Sequence, residues 1–328
     1  MKILVTGASG FIGSHIVPRL QNLGHEIASL QHDLRDHELV TQEVLDTNPD
    51  IIVHLAARTE VEKSFYEQAT FSDINYTGTV NLVEAAAKLP NLQNFVFAST
   101  MEVYGWQPVS DLIRDRIDVD DVEQSITKGW VAFDETTPAY PNAPYAVAKY
   151  ACEKYIEYAH RSLGLPYTII RQTNAYGRKD NNYFVTEQII YQMLTNSEVC
   201  NLGYGEPFRN FIYIDDLVDA WVTVIDQPDQ VRNELFCLGP NNAIRISDYA
   251  QMIAHKLGWH GEIRWNTKWP RPGEIFLLNS TNDKLTQATG WQPQVDLSTG
   301  VDLTIETWQD IIANDKPFLN DTRTFSPE

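Results

Sequence analysis

A strand, a glycine turn and a helix open the chain in that order, and this narrows the fold more than any other feature. Residues 3–6 are a short run of branched apolar side chains, and Gly7-Ala8-Ser9-Gly10-Phe11-Ile12-Gly13 follows directly, leading into an amphipathic segment. Gly7 permits the tight turn, Gly10 lets backbone come close to a pyrophosphate, and Gly13 lets helix and strand pack closely. The helix N-terminus adds unpaired N–H groups and a partial positive charge that suit phosphate. The spacing predicts a dinucleotide held by Gly7, Gly10, Phe11, Ile12 and Gly13. A merely tight turn shares the glycines but not this placement between strand and helix.

Further apolar runs at 26–30, 51–55, 95–99 and 167–171 read as buried strands, separated by amphipathic stretches such as 75–89 and 145–163. This alternation predicts an α/β protein with a doubly wound parallel Rossmann sheet covered on both faces. From Asn174 the texture changes to short mixed elements and loops such as 203–207 and 269–273, which reads as a smaller C-terminal substrate domain. Residues 211–226 look like another strand and helix returning to the sheet, so the domains interleave. The expected division is 1–173 plus about 211–236 for the cofactor, and about 174–210 plus 237–328 for the substrate.

Two segments interrupt the rhythm. Pro18 falls inside the first helix, where a missing N–H costs about 3 kcal/mol unless the helix adjusts. Residues 110–135 hold eight acidic and three basic side chains and read as an acidic insertion, either a solvated surface segment or a loop over the ligand mouth.

Charge and cysteine usage exclude several functions. Twenty-five Lys+Arg against 44 Asp+Glu give a net charge of −19, which opposes nucleic acid or anionic lipid as a partner. Three scattered cysteines without CxxC spacing oppose a disulfide framework or a zinc site, so no metal is expected. No h-region and no apolar run of membrane length occur, so a soluble, cytoplasmic protein away from membranes is expected.

At the end of the second strand, where an Asp or Glu would grip the adenosine 2′-hydroxyl, the chain carries Gln31-His32. Gln31 can hydrogen-bond hydroxyls but does not repel a 2′-phosphate. Asp33 and Leu34 are placed to meet the adenine amine and ring, and Arg35 is a candidate partner for a 2′-phosphate. NAD and NADP both stay open, with a lean to NAD because no basic cluster follows the strand.

Tyr145 and Lys149 stand one helical turn apart, on one face. A free tyrosine has a pKa near ~10, and a neighbouring ammonium or an oxidised nicotinamide would favour the phenolate needed of a base. Alone, YxxxK is usually a surface pair. Here Ser99-Thr100-Met101-Glu102-Val103-Tyr104-Gly105 accompanies it at the carboxyl end of the fourth strand, where open parallel sheets hold ligands. Thr100 can share a proton between Tyr145 and a substrate hydroxyl.

With these motifs, the chain resembles an extended short-chain dehydrogenase/reductase of the NAD-dependent epimerase/dehydratase type. The resemblance runs through His54-Leu55-Ala56-Ala57, Asn75-Tyr76-Thr77-Gly78-Thr79, Arg171-Gln172-Thr173-Asn174-Ala175-Tyr176-Gly177, Arg209-Asn210-Phe211-Ile212-Tyr213-Ile214-Asp215-Asp216 and Arg271-Pro272-Gly273-Glu274. It implies a nucleotide-diphosphate sugar as substrate and Thr100, Tyr145 and Lys149 as the catalytic trio. Leu55, Ala56, Ala57, Asn75, Tyr145 and Lys149 join the cofactor site, while Thr100, Asn174, Arg209 and Arg271 hold the substrate. Two guanidinium groups suit a pyrophosphate on charge and geometry. A homodimer through helices matching 75–89 and 145–163 is also implied.

The family's common first step is oxidation at sugar C4; hydride return to the other face is epimerisation, and C5 deprotonation with loss of the C6 hydroxide and hydride return at C6 is 4,6-dehydration. In the resembling dehydratases the Glu of a Thr-x-Glu run is the C5 base, which matches Glu102, while Met101 stands where some carry an acid. The reading leans slightly to dehydration over 4-epimerisation. A uronic acid decarboxylase, an NADPH-consuming keto-sugar reductase and a non-catalytic dinucleotide sensor are the further alternatives.

Overall fold

The computed structural model describes residues 1–105, 132–178, 181–266 and 272–314. Most of the acidic insertion and Arg271 therefore lie outside the described residues.

Five strands follow the expected runs: β1 (Lys2–Thr6), β2 (Glu26–Ser29), β3 (Ile51–His54), β4 (Asn94–Thr100) and β5 (Tyr167–Gln172). A sixth, Glu234–Leu238, completes one parallel sheet in which it lies outside β5, followed by β4, β3, β1 and β2 at the far edge. Side chains alternate across the pleat, so Ile3, Val5, Ile51 and Val53 enter one core layer while Leu4 and Ile52 enter the other. The first layer is closed by helix α1 (Phe11–Asn22) and helix Ile214–Asp226. The second is closed by helix α2 (His37–Thr47) with helices Gly78–Ala86 and Pro144–Leu163. Burial on both faces explains why the strands read as continuous apolar runs.

Local signals set the helix ends. Asp36 caps α2 by accepting from Leu39 N–H at 3.1 Å. Pro144 occupies the first turn of its helix and Gly164 closes it in the left-handed region. Pro18 sits within α1 without ending it. The stretch expected as one helix over 75–89 instead starts with a π turn, Asp73–Thr77, before Gly78–Ala86.

The segment expected to return to the sheet behaves differently. Its strand, Phe211–Tyr213, pairs with Asn174–Tyr176 in a separate two-stranded sheet. Helix Ile214–Asp226 does return, against α1, and Glu234–Leu238 is the strand that reaches β5. A third core cluster joins helices Val185–Thr195, Ile246–Leu257 and Leu297–Ala313 around Trp308 and Tyr249. The glycine turn after β1, Thr100 ending β4 and Gln172 ending β5 all stand at the carboxyl edge of the sheet, the edge that binds ligands in open α/β folds.

Candidate active site

The glycine turn is closed against its neighbours. Gly7 adopts φ +70°, and a Cβ there would stand 2.7 Å from Ala56 N. A Cβ on Gly13 would lie 2.2 Å from Gly7 O, so only glycine lets α1 sit this close to β1. Gly10 caps α1 and supplies no side-chain acceptor, which leaves first-turn N–H groups to a ligand. The turn fits a dinucleotide pyrophosphate.

Beneath it runs a buried polar chain. Ala56 N–H donates to Thr6 Oγ1 at 3.2 Å, Thr6 Oγ1 lies 2.6 Å from His54 Nδ1, and His54 Nε2 lies 2.9 Å from Thr79 Oγ1. Thr79 spends its own proton on Asn75 O at 2.5 Å, so it accepts from His54 Nε2–H and leaves Nδ1 as acceptor for Thr6. Burial lowers the His54 pKa to about 3, with the Lys149 charge adding to the shift. His54 is thus a neutral strut supporting Ala56 and the glycine turn.

Thr100 ends β4 and caps the short helix Met101–Tyr104, accepting from Glu102 N–H at 3.2 Å. Tyr145, in the first turn of helix Pro144–Leu163, stands beside Thr100, whose hydroxyl favours the phenolate. Both line one cavity with Glu102.

Lys149 corrects the sequence reading. Its ammonium donates to Ala98 O at 2.8 Å and lies 4.7 Å from the centre of the Phe97 ring. Burial lowers its pKa to about 8, against the pull of Cys152 and Glu153. The groups acting on Tyr145 are others: burial raises its pKa above the ordinary phenol value, the Glu102 charge raises it further, and Thr100 opposes them. Tyr145 is a protonated phenol beside Thr100; helical spacing puts Lys149 on the same face, where Ala98 O of β4 holds its ammonium.

The same helix is tied to the sheet by a buried ion pair. Glu153 takes Arg171 Nε at 3.0 Å and Nη2 at 2.7 Å, and Ser99 donates to it as well. Arg171 also faces the Tyr104 ring, 5.0 Å from its centre. Ser99, Thr100 and the Glu102 turn are thereby locked to the helix that carries Tyr145.

The cavity, about 470 Å³, runs from Gly7, Gly10, Phe11, Ile12, Gly13, Leu55 and Ala57 past Thr100, Glu102 and Tyr145 to Asn174 and Arg209. Asn174 donates weakly to Asn210 O, at 3.4 Å. Arg209 is buried; its Nη1 donates to Phe208 O at 2.8 Å and its Nη2 to Glu274 at 2.6 Å. An anion would therefore meet a guanidinium already oriented by its neighbours.

Other expected cofactor residues are spent elsewhere or lie apart. Asn75 is buried with its amide on Arg58 backbone, accepting at 2.8 Å and donating at 2.9 Å, so it shapes the loop after β3. Gln31 folds back onto Ser29 O at 2.7 Å. Asp33 holds Arg35 at 2.6 Å, which lowers the carboxyl pKa to about 2. Asp73 lies 3.5 Å from the same guanidinium, so Arg35 is not a free partner for a 2′-phosphate. Leu34 packs on Gly78, where an added Cβ would stand 2.8 Å away, and Asn81 fixes its carbonyl at 2.9 Å. Ala56, Gln31, Asp33, Leu34, Asn75 and Lys149 do not line the cavity.

Sequence reasoning passed over Arg178 and Glu187. The Arg178 guanidinium lies 4.0 Å from the Phe11 ring centre and 3.8 Å from that of Phe184, stacking helix Val185–Thr195 onto the glycine turn. Glu187, fully buried, accepts from Gly177 and Arg178 N–H at 3.0 Å each, and burial raises its pKa. Their signal was a Gly-Arg step following Asn174–Tyr176, legible only once Phe11 is known to face it.

The fold and the glycine turn define a dinucleotide-dependent enzyme of the Rossmann type. Residues 3–239 match the NAD dependent epimerase/dehydratase family, and the chain belongs to it. Its cofactor is NAD. The dTDP-glucose 4,6-dehydratase of Streptomyces niveus is 29% identical, over 100% of this chain and 98% of its own. The UDP-glucose 4-epimerase of Thermotoga maritima, solved with UDP-glucose, is 28% identical with a TM-score of 0.82, covering 95% of this chain and 100% of that one. The UDP-glucose 4-epimerase of Thermus thermophilus, solved with NAD, is 25% identical with a TM-score of 0.78, covering 94% and 99%.

Proposed function

We propose that the chain is a redox-neutral enzyme acting on a nucleotide-diphosphate sugar, oxidising it at C4 and returning the hydride, with 4,6-dehydration as the preferred outcome. The observation that carries this reading is one cavity holding the glycine turn, Thr100, Glu102, Tyr145 and Arg209 together.

Bound NAD supplies the hydride acceptor and donor. Gly7 and Gly10 bring backbone to its pyrophosphate, while Arg209 and Asn174, with Arg271, hold the sugar nucleotide. Tyr145 accepts the C4 hydroxyl proton, with Thr100 bridging between them. Burial and Glu102 hold the Tyr145 pKa above the ordinary phenol value, and the positive charge that oxidised NAD would supply beside it favours the phenolate. Lys149 is held by Ala98 O and stands off the cavity lining, so it would meet the nicotinamide ribose only by leaving that carbonyl. The C4 ketone acidifies C5–H; Glu102 removes that proton, the C6 hydroxyl leaves as water with a proton from solvent, and the hydride returns to C6 as C5 takes up a proton.

Met101 favours the second reading, 4-epimerisation. It is buried with Tyr104, Phe133 and Phe208 and does not line the cavity, so it supplies no acid for a C6 leaving hydroxyl. Glu102 in the cavity keeps dehydration ahead. In this proposal the cofactor is carried by 1–173 with about 211–236, and the remainder holds the nucleotide. Two copies pair through the helices Gly78–Ala86 and Pro144–Leu163, the second of which carries Tyr155 and exposed Tyr158 with their tilted rings 5.5 Å apart, and the setting is cytoplasmic.

Among the described residues no helix is long and apolar enough to cross a membrane. The test is incubation with a panel of sugar nucleotides in deuterated water, followed by mass spectrometry and NMR. Loss of water with deuterium at C5 supports dehydration, and unchanged mass with inverted C4 supports epimerisation. Loss of CO₂, stoichiometric NADPH oxidation, or no turnover with any sugar nucleotide would each overturn the proposal.

A further inference from the structure

NAD-binding folds of this type usually place an acidic side chain at the end of the second strand, about 20 residues past the glycine turn, to hold the adenosine 2′-hydroxyl. This chain has Gln31 there, and its amide is turned away onto Ser29 O. A carboxylate is present at that place all the same, brought from another element. Glu43, in the middle of α2, accepts from Gln31 N–H at 2.8 Å and His32 N–H at 3.2 Å, and its Oε2 lies 2.6 Å from His32 Nδ1. Only 16% of its side chain is exposed.

We propose that Glu43 determines cofactor specificity, taking the adenosine ribose hydroxyl and excluding a 2′-phosphate in place of the missing strand-end acid. The hydrogen-bond inventory permits it. Oε2 serves two donors from His32, whereas Oε1 serves Gln31 N–H alone and keeps an acceptor site for a hydroxyl. A phosphate offers no proton at this position and brings like charge beside a fixed carboxylate. The cations nearby do not reverse the preference: Arg35 is shared by Asp33 and Asp73, and His32 is turned onto Glu43 itself. The α2 cap at Asp36 fixes the helix register that brings Glu43 level with Gln31.

The inference rests on NAD being the cofactor, and the experiment separates the two. The full chain is titrated with NAD⁺ and with NADP⁺ by isothermal calorimetry, as wild type, Glu43→Gln, and Glu43→Gln with Gln31→Asp. Wild type binds NAD⁺ more tightly. Glu43→Gln keeps a shape that still accepts from Gln31 N–H and loses the charge, so the NAD⁺/NADP⁺ preference falls by about tenfold to a hundredfold, the worth of one hydrogen bond to a charged acceptor. Gln31→Asp returns a carboxylate to the strand end and restores the preference, including where the single variant folds poorly. If Glu43 only caps the strand end, Glu43→Gln lowers the melting temperature and leaves the preference intact, which overturns the proposal. A wild type that binds neither dinucleotide overturns the NAD reading, and this inference falls with it.

Discussion

Lys149 is kept in the site at a thermodynamic cost that can be measured. Its pKa is lowered from the ordinary 10.5 to about 8 by burial, which at about 1.4 kcal/mol per unit places roughly 3 kcal/mol against the native state while the ammonium is protonated. The unfolded chain holds this proton to higher pH than the native chain. Wild-type stability therefore rises with pH between about 8 and 10.5. Lys149→Met retains the methylene stem and removes the charge. Loss of the bond to Ala98 O shifts the variant by an amount independent of pH. Urea unfolding of both chains at about pH 7 and about pH 9.5 isolates the proton: the wild type should gain about 2 kcal/mol on the variant across this interval. His54, at about 3, and Cys152, at about 11, titrate outside it. A stability difference that stays constant between the two pH values would refute the placement of a buried, charged Lys149.

Further outcomes follow from the same geometry. His54 is held neutral to about pH 3 while the unfolded imidazole protonates below about 6.5, so wild type should lose about 3 kcal/mol relative to His54→Gln between about pH 7 and about pH 4.5 in urea unfolding; equal losses contradict the neutral strut. Gly13→Ala places a Cβ 2.2 Å from Gly7 O, and it should destabilise the chain by about 1–3 kcal/mol and abolish dinucleotide binding in calorimetry. Arg209→Ala should raise KM for the nucleotide sugar about tenfold to a hundredfold with kcat little changed, and NAD⁺ affinity measured alone should not move.

Much of this was legible in the chain because the sheet is buried on both faces: runs such as Ile51–His54 and Asn94–Thr100 cannot hide their apolar character. The glycine turn and the set Thr100, Glu102 and Tyr145 were equally plain, since each stands at a strand or helix end with little freedom of placement. Glu234–Leu238 was harder, a five-residue strand opening with an exposed Glu. Side-chain partners across elements were not legible at all. Glu43 meets Gln31 only because Asp36 starts α2 where it does, and Glu153 meets Arg171 only once helix and strand are packed. For Lys149 the spacing indicated the face but not the competition. Ala98 O offers a buried carbonyl within 2.8 Å, and a buried ammonium needs such an acceptor. The π turn at Asp73–Thr77, whose Asn75 braces Arg58, likewise carries no periodic signature.

A single substitution reaches furthest into this account. Tyr145→Phe removes one oxygen from a buried ring and leaves the glycine turn untouched. With a nucleotide sugar that the wild type converts, turnover should fall by about 10²–10⁴-fold, while calorimetric NAD⁺ affinity stays within a few-fold of wild type. Turnover that persists at the wild-type rate with the phenol gone would mean that some other group draws the proton from the sugar.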